Sequence, residues 1–521
     1  MAPRDDVSLL EALREDLGEK SAKDGCAPQG QCGCCTVLVD GSPRVACVTA
    51  VRRVAGRSVT TAAGLDERVA GALVSSFCRH GASQCGFCTP GILCRLAALG
   101  PSPDPAKVES ALLAHLCRCT GWRTIVEAAC DQQAGGALPA PGDGAARRAT
   151  IEGRSAQSVG PGVVMGRGGF ADDTAPPGCL VAVPDGRGGW AVGETLAAAR
   201  AESGKIQGRR SGQALVYPLD LPAGEWDLTL RTTWVEPAYL EPDASWCEPG
   251  GEPASAVANG GAFGGKTSSV APAAARELAD RYGRPVRVVL SREDVVRLGP
   301  KRPPIAAGVR ADGTGVVRVA EAPGIAEAIA SVAPALTVEQ LSVVGPAVSS
   351  SARAAGWAEA AVLLEAAKAL REGRVPSEAG GAATATVTSP GGGWATATVE
   401  VGEGGWPSDV RVEVGCGAVL DEVTMRSYAT GAAHMALGWV CSEAVAVGED
   451  GVPDDLTIRS FGVLRARDTP PITVVVNQGA AGRPPGEPVN GSDAVFAAVA
   501  AAVWIAQGLP SEWPTRRGAA K

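Results

Sequence analysis

Two groups of cysteines near the start of the chain have the residue type and spacing of iron–sulfur ligands. The first group comprises Cys26, Cys32, Cys35 and Cys47, and the second comprises Cys85, Cys88, Cys117 and Cys119. Each group supplies four thiolates, which is the number that a [2Fe–2S] cluster requires. The alternatives are a zinc site or free cysteines on a strand. Because two such groups stand in tandem, the spacing favours electron transfer.

Small residues surround the first group, as a loop that wraps a cluster requires. Gly25, Gly30 and Gly33 allow the backbone to approach the cluster and to direct N–H groups at sulfur. The spacing is that of plant-type ferredoxins with one extra residue after Cys26. Cys34 stands between two ligands, and we expect it to be a bystander.

These motifs resemble the iron–sulfur half of the xanthine dehydrogenase/aldehyde oxidoreductase family of molybdenum hydroxylases. The resemblance rests on "LLEALREDLG", "KDGCAPQGQCGCCTVLVDG", "SQCGFCTPGIL" and "HLCRCTGW". It implies a β-grasp ferredoxin domain, then a four-helix domain whose cluster lies close to a molybdenum–molybdopterin cofactor. Electrons would run from molybdenum to the second cluster and then to the first. Gln84 and Cys119 stand at the positions that approach the pterin in the family.

The start of the chain departs from the family pattern. Family members begin with two β-strands before the first helix, whereas this sequence reaches the helical run "SLLEALREDLG" almost at once. We therefore expect a ferredoxin domain that lacks its N-terminal hairpin. Within the helical run, Leu9, Leu10, Leu13 and Leu17 are predicted to share one face.

A glycine-rich segment further along resembles the cofactor loop of the family's molybdenum-binding part. It is "NGGAFGGK" at 259–266, and "ARELADRYGRPVRVVLSREDVV" follows it as in the family. The segment "WVEPAYLEPDASW" resembles the family segment that leads into this loop, and "GAAHMALGWVCSE" and "RARDTPPI" resemble two later segments more weakly. The resemblance assigns Gly261, Phe263, Gly264 and Gly265 to molybdopterin. The alternative is that these glycines only form turns, and Met435 replaces a glutamine of the family.

The residue expected to act as the general base is Glu487. The family places a Gly-Glu pair before its last helix, and Gly486-Glu487 precedes the predicted helix 494–505 here. A second alignment matches the family's glutamate to Gly491, in which case the base has been lost. Ser492 or Asp493 is expected to cap the helix, and Gly508 to end it.

Composition excludes several classes of protein. The net charge is −8 and the sequence shows no basic patch, so we expect no nucleic-acid partner. No apolar segment reaches the roughly 18–20 residues of a membrane span, and the N-terminus has no signal-peptide core. Sixteen cysteines with this spacing indicate thiolates in a reducing cytoplasm rather than disulfides.

The predicted fold is a multidomain α+β architecture. We expect a ferredoxin domain at 1–70, a helical [2Fe–2S] domain at 72–130, a linker at 131–150, and two halves of a compact molybdopterin-binding-like domain at 151–330 and 331–521. The stretch 380–415 alternates with period two and predicts a β-meander. No G-x-G-x-x-G fingerprint follows the clusters, so no FAD domain is expected there.

The predicted function is hydroxylation of an aldehyde or an N-heterocycle with water. Electrons would pass through both clusters to an external acceptor or a separate flavin subunit, in a homo- or hetero-oligomer. The first alternative is an electron-transfer subunit whose third domain is degenerate and non-catalytic. The second is a third domain that binds another protein, with clusters that serve stability.

Overall fold

The computed structural model describes residues 7–131, 142–204, 214–376, 380–479 and 486–516. Within these ranges the α-helices are α1 (Leu9–Glu11), α2 (Glu67–His80), α3 (Thr89–Ala97), α4 (Pro105–Ala111), α5 (Arg123–Cys130), α6 (Asp143–Gly153), α7 (Pro161–Val164), α8 (Ala171–Thr174), α9 (Leu196–Ser203), α10 (Ala271–Tyr282), α11 (Arg292–Leu298), α12 (Ile325–Ala330), α13 (Trp357–Arg371), α14 (Glu422–Cys441) and α15 (Ser492–Ala506). The strands are β1 (Thr36–Val39), β2 (Ser42–Val45), β3 (Val59–Thr60), β4 (Leu180–Pro184), β5 (Trp190–Gly193), β6 (Leu228–Arg231), β7 (Ala244–Cys247), β8 (Val286–Val289), β9 (Ile305–Val309), β10 (Gly315–Ala320), β11 (Leu336–Leu341), β12 (Gly381–Thr388), β13 (Trp394–Val401), β14 (Pro407–Gly415) and β15 (Ile472–Asn477).

The first domain is built on a small antiparallel sheet of order β2-β1-β3. The pair Asp40-Gly41 is typical of a turn between the strand-like runs "CTVLVDG" and "PRVACVTAV". In the structure it joins β1 to β2, and both residues have positive φ, at 47° and 75°, as a two-residue hairpin turn requires. The second strand is shorter than expected, because the chain turns into a 3-10 helix at Ala46–Val48 that carries Cys47. The prediction for Leu17 was wrong. After α1 the chain continues as a π-helix at Ala12–Asp16. Leu17 lies beyond this helix, and its side chain is 54% exposed.

The second domain is helical, as the sequence predicts, and consists of α2 to α5. Asp66 caps α2 by accepting the N–H groups of Arg68 and Val69, and α2 ends at Gly81 in the left-handed conformation. Pro90 starts α3 and Pro105 starts α4, where a missing N–H costs nothing. Both cysteine pairs of the second group therefore lie in short loops fixed by helix ends.

The described residues of the rest of the chain form three four-stranded sheets. Their orders are β5-β4-β8-β7, β11-β10-β9-β6 and β12-β13-β14-β15. The predicted meander is β12, β13 and β14, which pair antiparallel. The proposed division at residue 330 does not follow the sheets, because β11 pairs in parallel with β10 across it.

The predicted linker at 131–150 is partly wrong. Residues 132–141 lie outside the described residues, but α6 begins at Asp143, and its Arg148 and Glu152 side chains are fully buried as an ion pair of 2.9 Å. Glu152 accepts the N–H groups of Gly491 and Ser492 at the start of α15. A carboxylate from α6 therefore caps α15, rather than the side chain of Ser492 or Asp493.

A buried ion network joins the first domain to the third. Arg14 contacts Asp172 at 2.6 Å and Asp173 at 2.8 Å, and the ammonium group of Lys23 also pairs with Asp173. The side chains of Arg14 and Lys23 are only 4% and 1% exposed. Because buried charges are costly unless paired, the network fixes how the ferredoxin domain sits on the third domain.

Candidate functional site

The cysteines of the first group lie in the loop before β1 and in the 3-10 helix after β2. All four thiols are buried. The backbone N–H groups of Gln31 and Cys32 point at Cys26 Sγ, at 3.4 and 3.3 Å, and the N–H of Cys47 points at Cys35 Sγ at 3.4 Å. Such N–H donors to sulfur favour the thiolate and tune the potential of a bound cluster.

The thiols of the first group contact one another closely. Contact with the Cys32 thiol, and then with Cys47, lowers the pKa of Cys26, whereas contact with Cys26 raises the pKa of Cys32. No group of three His, Cys, Asp or Glu side chains in the described ranges is arranged around a single metal ion. These contacts bring the four thiols together, and the tandem spacing assigns them to a [2Fe–2S] cluster.

The second group lies between helix ends of the helical domain. Cys85 and Cys119 have their Sγ atoms 3.6 Å apart. Contact with Cys88 lowers the pKa of Cys117 to about 6, and the Thr120 hydroxyl, 3.2 Å from Cys117 Sγ, acts in the same direction. The second group therefore also fits a [2Fe–2S] cluster.

The two groups are joined through the backbone. Leu116, the neighbour of Cys117, donates its N–H to the carbonyl oxygen of Cys32 at 2.9 Å. Gly91 of α3 packs so closely that a Cβ there would lie 2.2 Å from the carbonyl oxygen of Gly33. One peptide hydrogen bond therefore links a ligand of the first group to the neighbour of a ligand of the second.

The glycine-rich loop packs against the second group. Gly261 has φ of 85°, and a Cβ there would lie 3.1 Å from Cys85 Sγ and 3.3 Å from Cys119 Sγ. Asn259 holds the loop by donating to the carbonyl oxygen of Cys85 at 2.9 Å. The structure thus brings Gly261 to Cys119, and the assignment of both residues to molybdopterin stays a prediction.

Gln84 carries a buried acceptor with no partner in the described part of the chain. Its Nε2 donates to Cys119 O at 2.9 Å and to Ser427 Oγ at 3.0 Å, but its Oε1 is unpaired. Gln84, Ser427 and Tyr428 line a cavity of about 420 Å³. A buried acceptor without a donor costs free energy, and the residue that carries it is part of the wall of a cavity large enough for part of a pterin.

Phe263 lies at the edge of a different, smaller cavity. This cavity is about 40 Å³ and is also lined by Met435, Arg353 and the carboxylates of Glu236 and Glu443. The Arg353 guanidinium lies over the Phe263 ring at 4.4 Å, and Arg353 N donates to Phe263 O at 2.9 Å. Burial lowers the pKa of Arg353 to about 10, although Asp493 opposes the shift.

Gly264 and Gly265 serve the packing of the loop. A Cβ on Gly264 would lie 1.7 Å from the carbonyl oxygen of Ser351, and one on Gly265 would lie 2.7 Å from Pro237 Cβ. Lys266, which follows them, forms a buried ion pair with Glu241 at 2.8 Å. The protein itself therefore occupies the space beside these two glycines.

The structure does not bring Glu487 to Phe263. Glu487 is exposed in the loop before α15, and it lines neither of the two cavities described above. Gly491, the alternative position, donates its N–H to Glu152, whose carboxylate is already paired with Arg148. The role of Glu487 therefore stays a prediction.

Sequence reasoning missed a buried ion pair between the second cysteine group and the segment that follows α14. Arg118, between Cys117 and Cys119, donates to both oxygens of Glu443 at 2.6 and 2.8 Å. The other carboxylate of the small cavity, Glu236, pairs with Lys301 at 2.8 Å. Glu236 lies in "WVEPAYLEPDASW" and Glu443 in "GAAHMALGWVCSE". The resemblance of these two segments to the family was the sequence signal that could have pointed to both residues.

Within the described residues, no helix is long and apolar enough to cross a membrane.

The comparisons with known proteins match the cysteine-rich part at the level of sequence. A family model described as a [2Fe-2S] binding domain matches residues 61–130. The nicotine 6-hydroxylase small subunit of Paenarthrobacter nicotinovorans is 42% identical over 127 residues, which is 24% of this chain and 76% of that protein. A probable xanthine dehydrogenase subunit of Bacillus subtilis is 37% identical over 125 residues, which is 23% of this chain and 72% of that protein.

The whole chain matches a solved structure in fold. The aldehyde oxidoreductase from Desulfovibrio gigas superposes with a TM-score of 0.70 at 14% identity, and the match covers 99% of this chain and 97% of that one. At this identity the match concerns the fold alone. It agrees with the predicted multidomain α+β architecture, in which iron–sulfur domains precede a molybdopterin-binding-like part.

Proposed function

The chain belongs to the xanthine dehydrogenase/aldehyde oxidoreductase family of molybdenum hydroxylases, and from that premise we propose that it hydroxylates an aldehyde or an N-heterocycle. The reaction takes oxygen from water, as R–H + H2O → R–OH + 2 e⁻ + 2 H⁺. The chain unites in one polypeptide an iron–sulfur part and a molybdopterin-binding-like part. Its relatives include proteins named as small subunits, and we propose an oligomer that works with an external acceptor or a separate flavin subunit.

The observation that carries this proposal is the contact between the glycine-rich loop and the second cysteine group. Gly261 lies against Cys85 and Cys119, while Gln84 bonds to Cys119 and keeps a free acceptor beside the larger cavity. A pterin held there would lie next to an iron ligand. Such a position is what direct electron transfer from the cofactor to the second cluster needs.

The chain's own residues then have distinct tasks. The molybdenum–pterin group, when bound, supplies the two-electron oxidation and activates water. Gln84 and Ser427 would hold its pterin, and Gly261 packs against Cys119 beside them. Electrons would leave one at a time past Cys85 and Cys119. The hydrogen bond from the Leu116 N–H to the carbonyl oxygen of Cys32, next to Cys117 in the chain, would offer the route to the first cluster.

In this proposal Glu487 is the general base, and substitution of this residue tests the assignment. Its side chain is exposed, so Glu487→Gln should leave the fold and the iron content unchanged. A loss of about 10² or more in kcat would support the role, since a positioned base contributes typically 10²–10⁴-fold. Unchanged kcat would show that Glu487 takes no part in proton transfer.

A second candidate function is an electron-transfer subunit with a non-catalytic third domain. The specific observation in its favour concerns the two carboxylates that line the small cavity beside Phe263. Both carboxylates that line it are held in ion pairs, Glu443 with Arg118 and Glu236 with Lys301. A carboxylate in such a pair is a poor proton acceptor, because it must first give up its partner.

Elemental analysis of the anaerobically purified protein separates the two candidates. Four irons with about one molybdenum per chain support the hydroxylase. Four irons without molybdenum, after expression with ample cofactor supply, overturn it and leave the electron-transfer subunit.

Thiolate-bound clusters also suit a reducing compartment such as the cytoplasm, where we propose the protein acts.

A further inference from the structure

An arginine of the third domain contacts the ligand loop of the first cysteine group. Arg459 belongs to the 3-10 helix Ile458–Phe461, and its Nε donates to Gln31 O of the ligand loop at 3.0 Å. Its Nη2 donates to Leu113 O of the helical domain at 2.6 Å. One guanidinium group therefore joins all three parts of the molecule.

The carbonyl oxygen that Arg459 contacts belongs to the peptide group in which Cys32 supplies the N–H. That N–H points at Cys26 Sγ at 3.3 Å, and the N–H of Gln31 points at the same sulfur at 3.4 Å. A chain of hydrogen bonds therefore runs from the guanidinium group, through one peptide group, to the sulfur of an expected iron ligand. Because hydrogen bonds in a chain polarise one another, a charged donor at the carbonyl oxygen strengthens the N–H donor at the sulfur.

The charge of Arg459 is not compensated by a carboxylate. None of the aspartates and glutamates that the structure describes forms an ion pair with Arg459, whereas Arg465 pairs with Asp468. Burial, followed by the charge of Arg465, lowers the pKa of Arg459, and Cys26 and Cys32 oppose the shift. The two thiols that act on this guanidinium group therefore both belong to the first cysteine group.

The second cysteine group also has an arginine beside it, but the charge of that arginine is neutralised. Arg118 donates to both carboxylate oxygens of Glu443, and the two side chains are only 8% and 2% exposed. Opposite charges in contact largely cancel at a distance. The two cysteine groups therefore differ in their surroundings, with a free cation at the first and an ion pair at the second.

We propose that Arg459 is a positioning residue that raises the reduction potential of the first cluster through the peptide group of Gln31 and Cys32. Reduction adds one electron to one Fe(III) of the cluster, which becomes Fe(II), and the cluster gains one negative charge. A nearby cation and a stronger hydrogen bond to a ligand sulfur both stabilise the reduced cluster more than the oxidised one. The inference rests on the [2Fe–2S] assignment within the proposed function, and it needs neither molybdenum nor a substrate.

The test is a reductive titration of the protein followed by EPR spectroscopy. Dithionite supplies the electrons through soluble mediators, and the measured quantity is the midpoint potential of each cluster. Cys88→Ser, which we expect to keep only the first cluster, identifies the signal of that cluster. The two variants are Arg459→Gln, which removes the charge, and Arg459→Lys, which keeps the charge but lacks the planar fork of donors.

We expect Arg459→Gln to shift the one-electron equilibrium of the first cluster about tenfold towards the oxidised form, which lowers its potential by about 59 mV. Arg459→Lys should shift it in the same direction by only about threefold, because the charge is retained. The second cluster should keep its wild-type potential in both variants. The matched control is Arg371→Gln on α13, which removes the same charge and a similar contact, from Arg371 Nη1 to Ala311 O at 3.0 Å. Both potentials should stay at the wild-type value in the control.

Three results would overturn the inference: an unchanged potential of the first cluster in Arg459→Gln, an equal fall in the potentials of both clusters, or an equal fall in the control. Iron content and the visible spectrum show whether each variant keeps its clusters. If Arg459→Gln loses iron, Arg459→Lys decides instead, and an unchanged potential of its first cluster overturns the inference. Absence of molybdenum would defeat the proposed hydroxylase but would leave this result standing.

Discussion

At the scale of single residues, the eight clustered cysteines have sulfur neighbours, which the other cysteines except Cys34 lack. Cys88 touches Cys117, whereas Cys78 on α2 has a pKa raised to about 11 by burial alone, with Arg79 opposing. We expect Cys88→Ser to lose the second cluster and keep the first, leaving two irons per chain. Cys78→Ser should keep four. Iron analysis with the visible and EPR spectra checks both, and four irons in Cys88→Ser would remove Cys88 from the ligand set.

His80 provides a pH-dependent contact between α2 and α5. Glu127, at 3.6 Å, and Asp131, at 2.9 Å, raise its pKa above the ordinary value, with burial opposing. A raised folded-state pKa means that the stabilisation is complete below the unfolded pKa and is lost as the pH rises through the folded one. Because His80 is partly exposed, the contact is worth less than about 1 kcal/mol. Wild type should therefore exceed His80→Gln in stability at a pH of about 5.5, and the gap should close by about pH 8.5 in denaturant titrations.

At the scale of elements, α14 lies against the second cysteine group through Gly431. A Cβ on Gly431 would lie 1.7 Å from the carbonyl oxygen of Cys119, so Gly431→Ala must push the helix away from the cluster loop. We expect a loss of about 3 kcal/mol or more in stability and less iron in the second site. Gly71→Ala on α2 is the control, because its Cβ meets open space and alanine favours a helix by up to about 1 kcal/mol. Equal melting temperatures for the two variants would contradict this packing.

The elements also show where sequence reasoning succeeds and where it stops. The cysteine loops, the turn at Asp40-Gly41 and the meander β12–β14 follow from local spacing and could be predicted. The ion pair of Arg118 with Glu443 joins residues 325 positions apart, so no local pattern reveals it. The sequence predicts a linker where α6 forms, because glycine, alanine and proline precede it, whereas the helix depends on burying Arg148 and Glu152 against distant loops.

At the scale of the whole molecule, the ferredoxin domain is held by charges that have almost no access to water. Asp173 serves both Arg14 and Lys23, and burial lowers the pKa of Lys23 despite that partner. Asp173→Ala should cost about 3–5 kcal/mol, because it strips buried cations of a partner. Asp40→Ala, which breaks the exposed pair with Arg57, should cost far less, because solvent screens that pair. Thermal unfolding measures both, and hydrogen exchange in the first domain should rise only for Asp173→Ala.

The burial of the cysteines has a consequence for how the protein is made. Seven of the eight clustered thiols are buried, and Cys85, the partly exposed one, faces Gly261 and Asn259 of the third domain. A scaffold protein that delivers iron and sulfide cannot reach the thiols of the second group after α14 and the glycine-rich loop have closed over them. Delivery of the second cluster must therefore precede the docking of the third domain. The two iron–sulfur domains leave the ribosome before the third domain, so the order of synthesis already provides that interval.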